Sequence, residues 1–470
     1  MATIDTDICV IGAGSGGLSV AAGAAQMGAS TVLIERGAMG GDCLNYGCVP
    51  SKSMIAAGRA ADTIRNAGRF GVNGHEPQID FGRVHDHIHG VITAIAPNDS
   101  VERFEGLGVK VIRASARFTG PDTVEAGGAT IKARRFVLAT GSRASHPPIP
   151  GLGDVPFLTN ETIFERKAAP EHLIVIGGGP IGVEMAQAHR RLGAEVTVLQ
   201  KGSILPKDDP DLVAVVRDRL TGEGVDLRED ADIDRVERHG NGIAAVLADG
   251  TRIEGSDLLV AAGRQANVDG LGLEAAGIEF SPKGVKTDAR LRTTNRRVFA
   301  VGDVAGGPQF THIAGYHAGI VIRNVLFRLP AKVDYSALPW VTYTDPELAH
   351  VGLTEAQARE AHKDIRVLTW SFEENDRAQA EREIEGRVKV LTLPNGRILG
   401  ASIVGPHAGE LIQVWCLAIS QKLKIGAIAS MIAPYPTLGE AGKRAAGAFY
   451  TPKLFSGRTR GLVRFLSWFG

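Results

Sequence analysis

Cysteine is scarce in this chain. It occurs four times in 470 residues, at positions 9, 43, 48 and 416. So few exclude a disulfide-stapled secreted scaffold. Cys9 and Cys416 have no Cys or His partner at zinc-type spacing, so no metal site is expected. Charge of either sign in excess is also missing: 52 basic residues balance 52 acidic ones. That balance gives no electrostatic footprint for a nucleic-acid partner. No run reaches about 18 uninterrupted apolar residues, so no membrane-spanning helix is expected. Met1 leads into the strand-like Ile8-Cys9-Val10-Ile11 without a basic start or long apolar run, and no export signal is read. Together with the few cysteines, this points to a reducing, cytoplasmic setting.

What the chain does have is glycine, 59 residues of it, which favours tight turns and close backbone approach to ligands. Two of the four cysteines sit in one short stretch, residues 40–52, which reads Gly-Gly-Asp-Cys-Leu-Asn-Tyr-Gly-Cys-Val-Pro-Ser-Lys. A helix starting between Cys43 and Cys48 would bring the two sulfurs together across about one turn. It would also lower a thiolate pKa. From spacing alone, two small buried residues remain the alternative to a redox pair.

Residues 8–35 spell strand, Gly-x-Gly-x-x-Gly, helix, strand, acid. The glycines are Gly12, Gly14 and Gly17, the helix covers about 18–27, the second strand 31–34, and the acid is Glu35, followed by Arg36. The glycines allow a tight turn and close approach of a pyrophosphate to a helix N-terminus, and the acid accepts a ribose hydroxyl. Residues 174–201 repeat the unit with Gly177, Gly179 and Gly182. Gly12 to Glu35 and Gly177 to Gln200 are both steps of 23 residues. Two units imply two dinucleotides. The second ends in Gln200-Lys201 rather than an acid, which leans towards a 2′-phosphate without settling NADPH against NADH.

Three further strand-to-loop ends are expected to reach the dinucleotides: Thr140-Gly141, Gly263-Arg264 and Gly302-Asp303. From about 336 the dinucleotide signals stop. Residues 388–391 and 398–404 read as a hairpin turning at Asn395-Gly396. Helices are expected at 408–424 and 437–449. The fold expected is α/β: two Rossmann-like dinucleotide-binding domains plus a C-terminal α+β domain. Boundaries are expected at 1–150 and 271–335 for the two parts of the first domain, 151–270 for the second, 336–452 for the third, and 453–470 for a tail. In the tail Leu462, Phe465, Leu466 and Phe469 recur at helical spacing among Arg458, Arg460 and Arg464. Docking on the body or on a partner protomer is expected for it, with a membrane surface as the alternative.

With these motifs placed, the chain resembles the class I flavin-dependent pyridine nucleotide–disulfide oxidoreductases, the group of dihydrolipoamide dehydrogenase, glutathione reductase and mercuric reductase. The likeness rests on residues 41–52, 140–141, 177–184, 298–303 and 344–352, and it spans the chain except the tail. The resemblance implies a homodimer binding FAD at Gly12, Gly14, Gly17, Glu35 and Asp303. It implies NADPH or NADH at Gly177, Gly179 and Gly182, with Gln200 and Lys201 at the same unit, and a part in cofactor binding for Arg36, Gly41, Lys52, Thr140, Gly141, Gly263, Arg264 and Gly302. It further implies electron flow from the nicotinamide through the flavin to a Cys43–Cys48 disulfide and on to a disulfide-type acceptor, small molecule or protein. Cys48 would lie towards the flavin and Cys43 towards the acceptor, with Lys52 near the ring and paired with Glu184. The chain departs from the family in one place. Family disulfide reductases carry a His before Pro, five residues ahead of a Glu, as the thiol acid/base across the dimer interface. Here Glu440 is present but Tyr435 stands in the His position. Tyr, with a pKa near 10, is a poor base at neutral pH, and a missing general base costs roughly 10²–10⁴-fold in rate. A quinone or metal-ion acceptor is therefore the alternative. Mercuric reductases also use Tyr here but add a vicinal Cys pair at the C-terminus. Residues 453–470 contain no Cys, which disfavours mercury.

Overall fold

The first strand, β1 (Ala2–Ile11), is central to a seven-stranded sheet. In the computed structural model, which describes residues 2–469, β1 lies parallel to β2 (Thr31–Glu35) on one side and to Ala129–Leu138 on the other. Beyond β2 lies β3 (Val109–Arg113), and Val298–Ala300 also joins Ala129–Leu138 in parallel. The apolar run at 8–11 is continuous because both faces are covered. Cys9 and Ile11 pack with Val32, Ile34, Phe136 and Leu138 on one face. Ile8 and Val10 pack on the other, against helix α1 (Ser15–Gln26) and helix Thr311–Val325. Cys9 is thus a core residue, and burial pushes its thiol well above the ordinary range.

A second parallel set repeats the arrangement. His172–Ile176 lies between Glu195–Leu199 and Asp257–Val260. The antiparallel sheet of Ile233–His239, Gly242–Leu247 and Arg252–Gly255 lies in the chain between Glu195–Leu199 and Asp257–Val260. These strands and the first sheet fall in one of two compact units, made of residues 1–178, 188–201 and 231–333.

The other unit comprises 179–187, 202–230 and 334–470. Its five-stranded antiparallel sheet runs Pro339–Thr342, Glu347–Gly352, Ile398–Gly405, Arg387–Thr392, Arg366–Ser371. The expected hairpin is there, turning through Asn395, whose Oδ1 accepts from the Arg397 N–H at 3.0 Å. Helices cover one face around the fully buried Trp415. The expected helix 408–424 is instead two, Ala408–Leu411 and Gln413–Ser420. The second stops because Lys422 takes the left-handed conformation, and the Leu423 N–H closes back on Ala418 O. The expected 437–449 helix begins later, as Glu440–Ala448, because residues 437–440 form a turn closed by the Glu440 N–H on Thr437 O. The tail is helical over Gly457–Leu466. Leu462, Val463, Phe465, Leu466, Trp468 and Phe469 are all exposed, so the expected docking on the body is not seen. No described helix is long and apolar enough to cross a membrane.

Candidate active site

β1 ends at Ile11, and the chain turns at Gly12 with φ +105°. A Cβ on Gly12 would stand 2.3 Å from the Ala139 carbonyl oxygen, and one on Gly17 only 1.8 Å from that of Gly12. Only glycine lets α1 seat this closely on the strand ends. The N-cap of α1 is Gly14, and no side chain caps it. That leaves its first-turn N–H groups for an anion. Glu35 closes the turn: its Oε2 accepts from the Ala13 N–H and its Oε1 from the Gly37 N–H, both at 2.6 Å. Arg36 is exposed beside it. A side-chain-free cradle, an uncapped helix start and an acid at the end of β2 are a donor set that fits the diphosphate and ribose of FAD.

The second unit of the sequence repeats the device. Gly177 has φ +112°, and a Cβ there would lie 2.5 Å from Ala261 O. Gln200 does for this turn what Glu35 does for the first, with its Oε1 accepting from the Gly178 N–H at 2.7 Å. Gly179 precedes helix Pro180–Arg191, and Gly182 lies in its first turn. Lys201 is exposed, and its ammonium lies 3.2 Å from Asp232. Glu184 is buried on that helix, its Oε1 accepting from the Tyr343 N–H at 2.9 Å.

Residues far apart in sequence fix the connecting loops. Asn267 clamps the 140–141 turn. Its carbonyl accepts from Thr140 Oγ1 at 2.8 Å, its amide nitrogen donates to Thr140 O at 2.9 Å, and its N–H donates to Gly141 O at 2.9 Å. Arg264 follows Gly263, whose φ is +114°. Its guanidinium donates to Ser142 Oγ at 2.8 Å and pairs with Asp42 at 3.1 Å. Ser142 in turn donates to Asp303 Oδ2 at 2.5 Å. Burial raises the Asp303 carboxyl above its usual range, against that hydrogen bond. The Gly302 N–H donates to Nδ1 of His317, a buried ring whose pKa burial lowers to about 4. His317 is therefore neutral, with Nδ1 as an acceptor.

The cysteines lie between these parts. Cys43 is in the short helix α2 (Gly41–Asn45), and Cys48 is the first residue of α3 (Cys48–Asn66). The segment is stitched to the first glycine turn: Gly40 donates its N–H to Ala13 O at 3.0 Å, and a Cβ on Gly41 would meet Gly14 Cα at 2.6 Å. Asn160 holds Asp42 Oδ1 at 3.1 Å and Tyr46 O at 3.2 Å. Both cysteines are free thiols, hydrogen-bonded to each other. Cys48 Sγ also lies 3.4 Å from Thr311 Oγ1, at the start of helix Thr311–Val325. The Cys43 thiol lowers the Cys48 pKa to about 6, with help from Thr311 and the Lys52 charge and against desolvation and Asp42. The same hydrogen bond, with burial, pushes Cys43 far upward. The pair is one thiolate, on Cys48, and one thiol, on Cys43. Burial raises Cys416, the remaining cysteine, to about 11.

In the other unit, Tyr435 is exposed, and its hydroxyl donates to Asp376 Oδ2 at 2.9 Å. That carboxylate raises the phenol pKa further, so Tyr435 keeps its proton at neutral pH. Glu440 opens helix Glu440–Ala448 five residues on.

Comparison with known proteins adds the family. Residues 6–318 match the model of the pyridine nucleotide-disulphide oxidoreductases, and residues 338–446 that of their dimerisation domain. The chain is 36% identical to a mercuric reductase of Streptomyces lividans over 94% of its own length and 96% of that protein's. It is 37% identical to a dihydrolipoyl dehydrogenase of Halobacterium salinarum, covering 94% and 95%. Among solved structures it is similar to the HOCl-induced flavoprotein disulfide reductase RclA of Escherichia coli, with TM-score 0.86 and 28% identity over 94% of this chain and 99% of that one. The family uses FAD and NAD(P)H, and the dimerisation domain supports a homodimer. Two dinucleotide cradles, a thiol pair stitched to the first of them and these matches agree: the chain belongs to the pyridine nucleotide-disulphide oxidoreductase family.

Proposed function

We propose that this enzyme uses NAD(P)H to reduce a disulfide-type acceptor through Cys43 and Cys48. The observation carrying the proposal is the hydrogen-bonded thiol pair, with its thiolate at a helix start beside the first dinucleotide turn. The residues proposed to hold FAD are Gly12, Gly14, Gly17, Glu35, Gly41, Thr140, Gly141, Gly302 and Asp303. The nicotinamide dinucleotide goes to the turn at Gly177, Gly179, Gly182 and Gln200, and the exposed Lys201 favours NADPH. The chemistry FAD supplies when bound is two-electron carriage between a reduced nicotinamide and a thiol pair. The chain's own residues do the rest. Cys43 attacks one acceptor sulfur as its proton passes to the leaving sulfur; the acceptor S–S bond breaks, and the first half leaves as a thiol. The Cys48 thiolate then attacks Cys43, releasing the second thiolate and closing the Cys43–Cys48 disulfide, so two electrons reach the acceptor. The Lys52 charge favours the thiolate on Cys48 until that disulfide closes.

Tyr435 supports a second reading. A phenol held protonated by Asp376 donates a hydrogen bond but does not take the Cys43 proton at pH 7. A metal ion, which takes electrons without needing a proton, suits this site, and a quinone is the other non-disulfide acceptor. Steady-state rates with NADH and NADPH against disulfides, quinones and metal ions, in wild type and Tyr435→His, separate the readings. The first expects turnover with at least one disulfide. The second expects disulfide turnover to emerge only in Tyr435→His, by roughly 10²-fold or more. Turnover with neither nucleotide and no acceptor would sink both.

The exposed tail, with apolar side chains and Arg458, Arg460 and Arg464 but no acid after Glu440, is proposed to dock on a partner protomer or, as the alternative tested by flotation, to rest on an anionic membrane surface. On that alternative, flotation with anionic liposomes is expected to carry up the full chain but not one ending at Tyr450. Equal recovery of both in the bulk solution would overturn the membrane alternative.

A further inference from the structure

Helix α4 (Phe81–Ile95) carries His85 and His89 one turn apart, flanking Ile88, which anchors the helix in the core. Their rings stand 4.2 Å apart. The turn Ile163–Glu165 brings a third ligand group: the Glu165 carboxylate lies 3.7 Å from His89 Nε2, and Phe164 O accepts a hydrogen bond from the same nitrogen at 3.2 Å, a bond that metal binding would replace. One ligand atom from each of His85, His89 and Glu165 lies within 4.8 Å of the others. Asp86 Oδ1 sits 3.2 Å from His85 Nδ1. A carboxylate on one ring nitrogen fixes the tautomer and leaves the other, Nε2, as the ligand atom, as at protein-bound metals.

We propose that His85, His89 and Glu165 bind one divalent transition-metal ion. Two imidazoles and one carboxylate, with a carbonyl oxygen alongside, suit a borderline ion such as Zn(II), Ni(II) or Cu(II) rather than Mg(II) or Ca(II). Ligand bonds of about 2.0–2.2 Å require the three donors to close by rotation of side chains that are only partly buried, which this site allows. The ion ties α4 to a turn more than seventy residues away in sequence, and such a tie restricts the unfolded chain. The site shares no residue with the cysteine pair and does not depend on the acceptor proposed above.

The test uses tag-free, FAD-loaded protein carrying Cys43→Ser and Cys48→Ser, which removes the competing thiols. After chelator treatment and dialysis it is titrated with zinc sulfate by calorimetry. One equivalent per chain is expected to bind, weakened at least tenfold by His89→Gln and, separately, by Glu165→Gln, a surface change that leaves the helix intact. Bound Cu(II) is expected to show hyperfine splitting from two nitrogens by electron paramagnetic resonance, and from one in His85→Gln. No zinc uptake, or equal affinity in both zinc variants, overturns the proposal, as does a Cu(II) spectrum that His85→Gln leaves unchanged.

Discussion

Cys48→Ser is expected to abolish NAD(P)H-driven disulfide reduction, by on the order of 10³-fold or more, while leaving FAD bound. Cys43→Ser is expected to be as inactive, but the two differ spectroscopically. The thiolate resides on Cys48, at the first position of α3 and beside Lys52 and Thr311. Anaerobic reduction of wild type with NADPH or NADH should give long-wavelength absorbance from that thiolate. Cys48→Ser removes it. Cys43→Ser keeps it, because the serine hydroxyl still donates to the Cys48 sulfur. Cys43→Ala has no such donor, and the Cys48 pKa rises towards the ordinary value. The pH dependence follows in sign. With its pKa lowered to about 6, Cys48 is thiolate at pH 7 and loses the charge as pH falls through 6. Alkylation of the reduced enzyme by iodoacetamide should therefore show a midpoint near pH 6, moved upward by a unit or more in Cys43→Ala. Retained long-wavelength absorbance in Cys48→Ser would reverse the roles of the two cysteines. An unmoved midpoint in Cys43→Ala would remove the hydrogen bond as the cause.

Much of this site is legible in the sequence because its chemistry is local. The two glycine turns, Glu35 and Gln200 each answer to a backbone N–H within one strand–helix–strand unit, and Cys43 and Cys48 are one helix start apart. The alternation of Ile8 and Val10 with Cys9 and Ile11 likewise shows up as one apolar run. What was missed is held by long-range partners. Asn267 reaches Thr140 across 127 residues, and Thr311 reaches Cys48 across 263. Neither has a local pattern, since a lone Asn or Thr after a strand reads as a turn or cap. Arg264 shows the same limit. Its place after Gly263 marks a strand-to-loop end, but that its guanidinium reaches Ser142 and Asp42, next to Cys43, is visible only in the structure. His85 and His89 did have a readable signal, an i, i+4 pair, but their third partner, Glu165, comes from a distant turn. The sequence raised doubt about Tyr435 as a base, and the geometry sharpens it, because only the Asp376 contact shows why the phenol holds its proton more tightly.

Gly17→Ala is expected to yield protein without FAD and with the largest loss of stability of any single methyl added to the first domain. The position needs no special backbone angle, so the conformational cost alone would be small or favourable in a helix. The obstacle is space. The added Cβ would sit 1.8 Å from Gly12 O and 3.1 Å from the Ala139 Cβ. The first of these is backbone in the turn that places β1 and α1, and it cannot swing aside as a side chain would. Relief requires α1 to lift from the turn, which separates the helix start from the Glu35-held loop and uncovers Leu18, Val20 and Ala21 in the core. Overpacking of this kind typically costs about 1–3 kcal/mol, and more where backbone is the obstacle. Gly28→Ala is the control with the opposite balance. Its φ is +84°, but nothing lies within 4 Å of a Cβ there, so the cost is the left-handed conformation alone, about 1 kcal/mol. In thermal melts Gly28→Ala should fall by only about 2–4 °C. Gly17→Ala should fall further, by up to about 12 °C, and lose flavin absorbance after gel filtration. Equal melting points and full flavin content in both variants would show that α1 does not depend on contact with the Gly12 turn, and would remove the close helix approach from the account of how FAD is held.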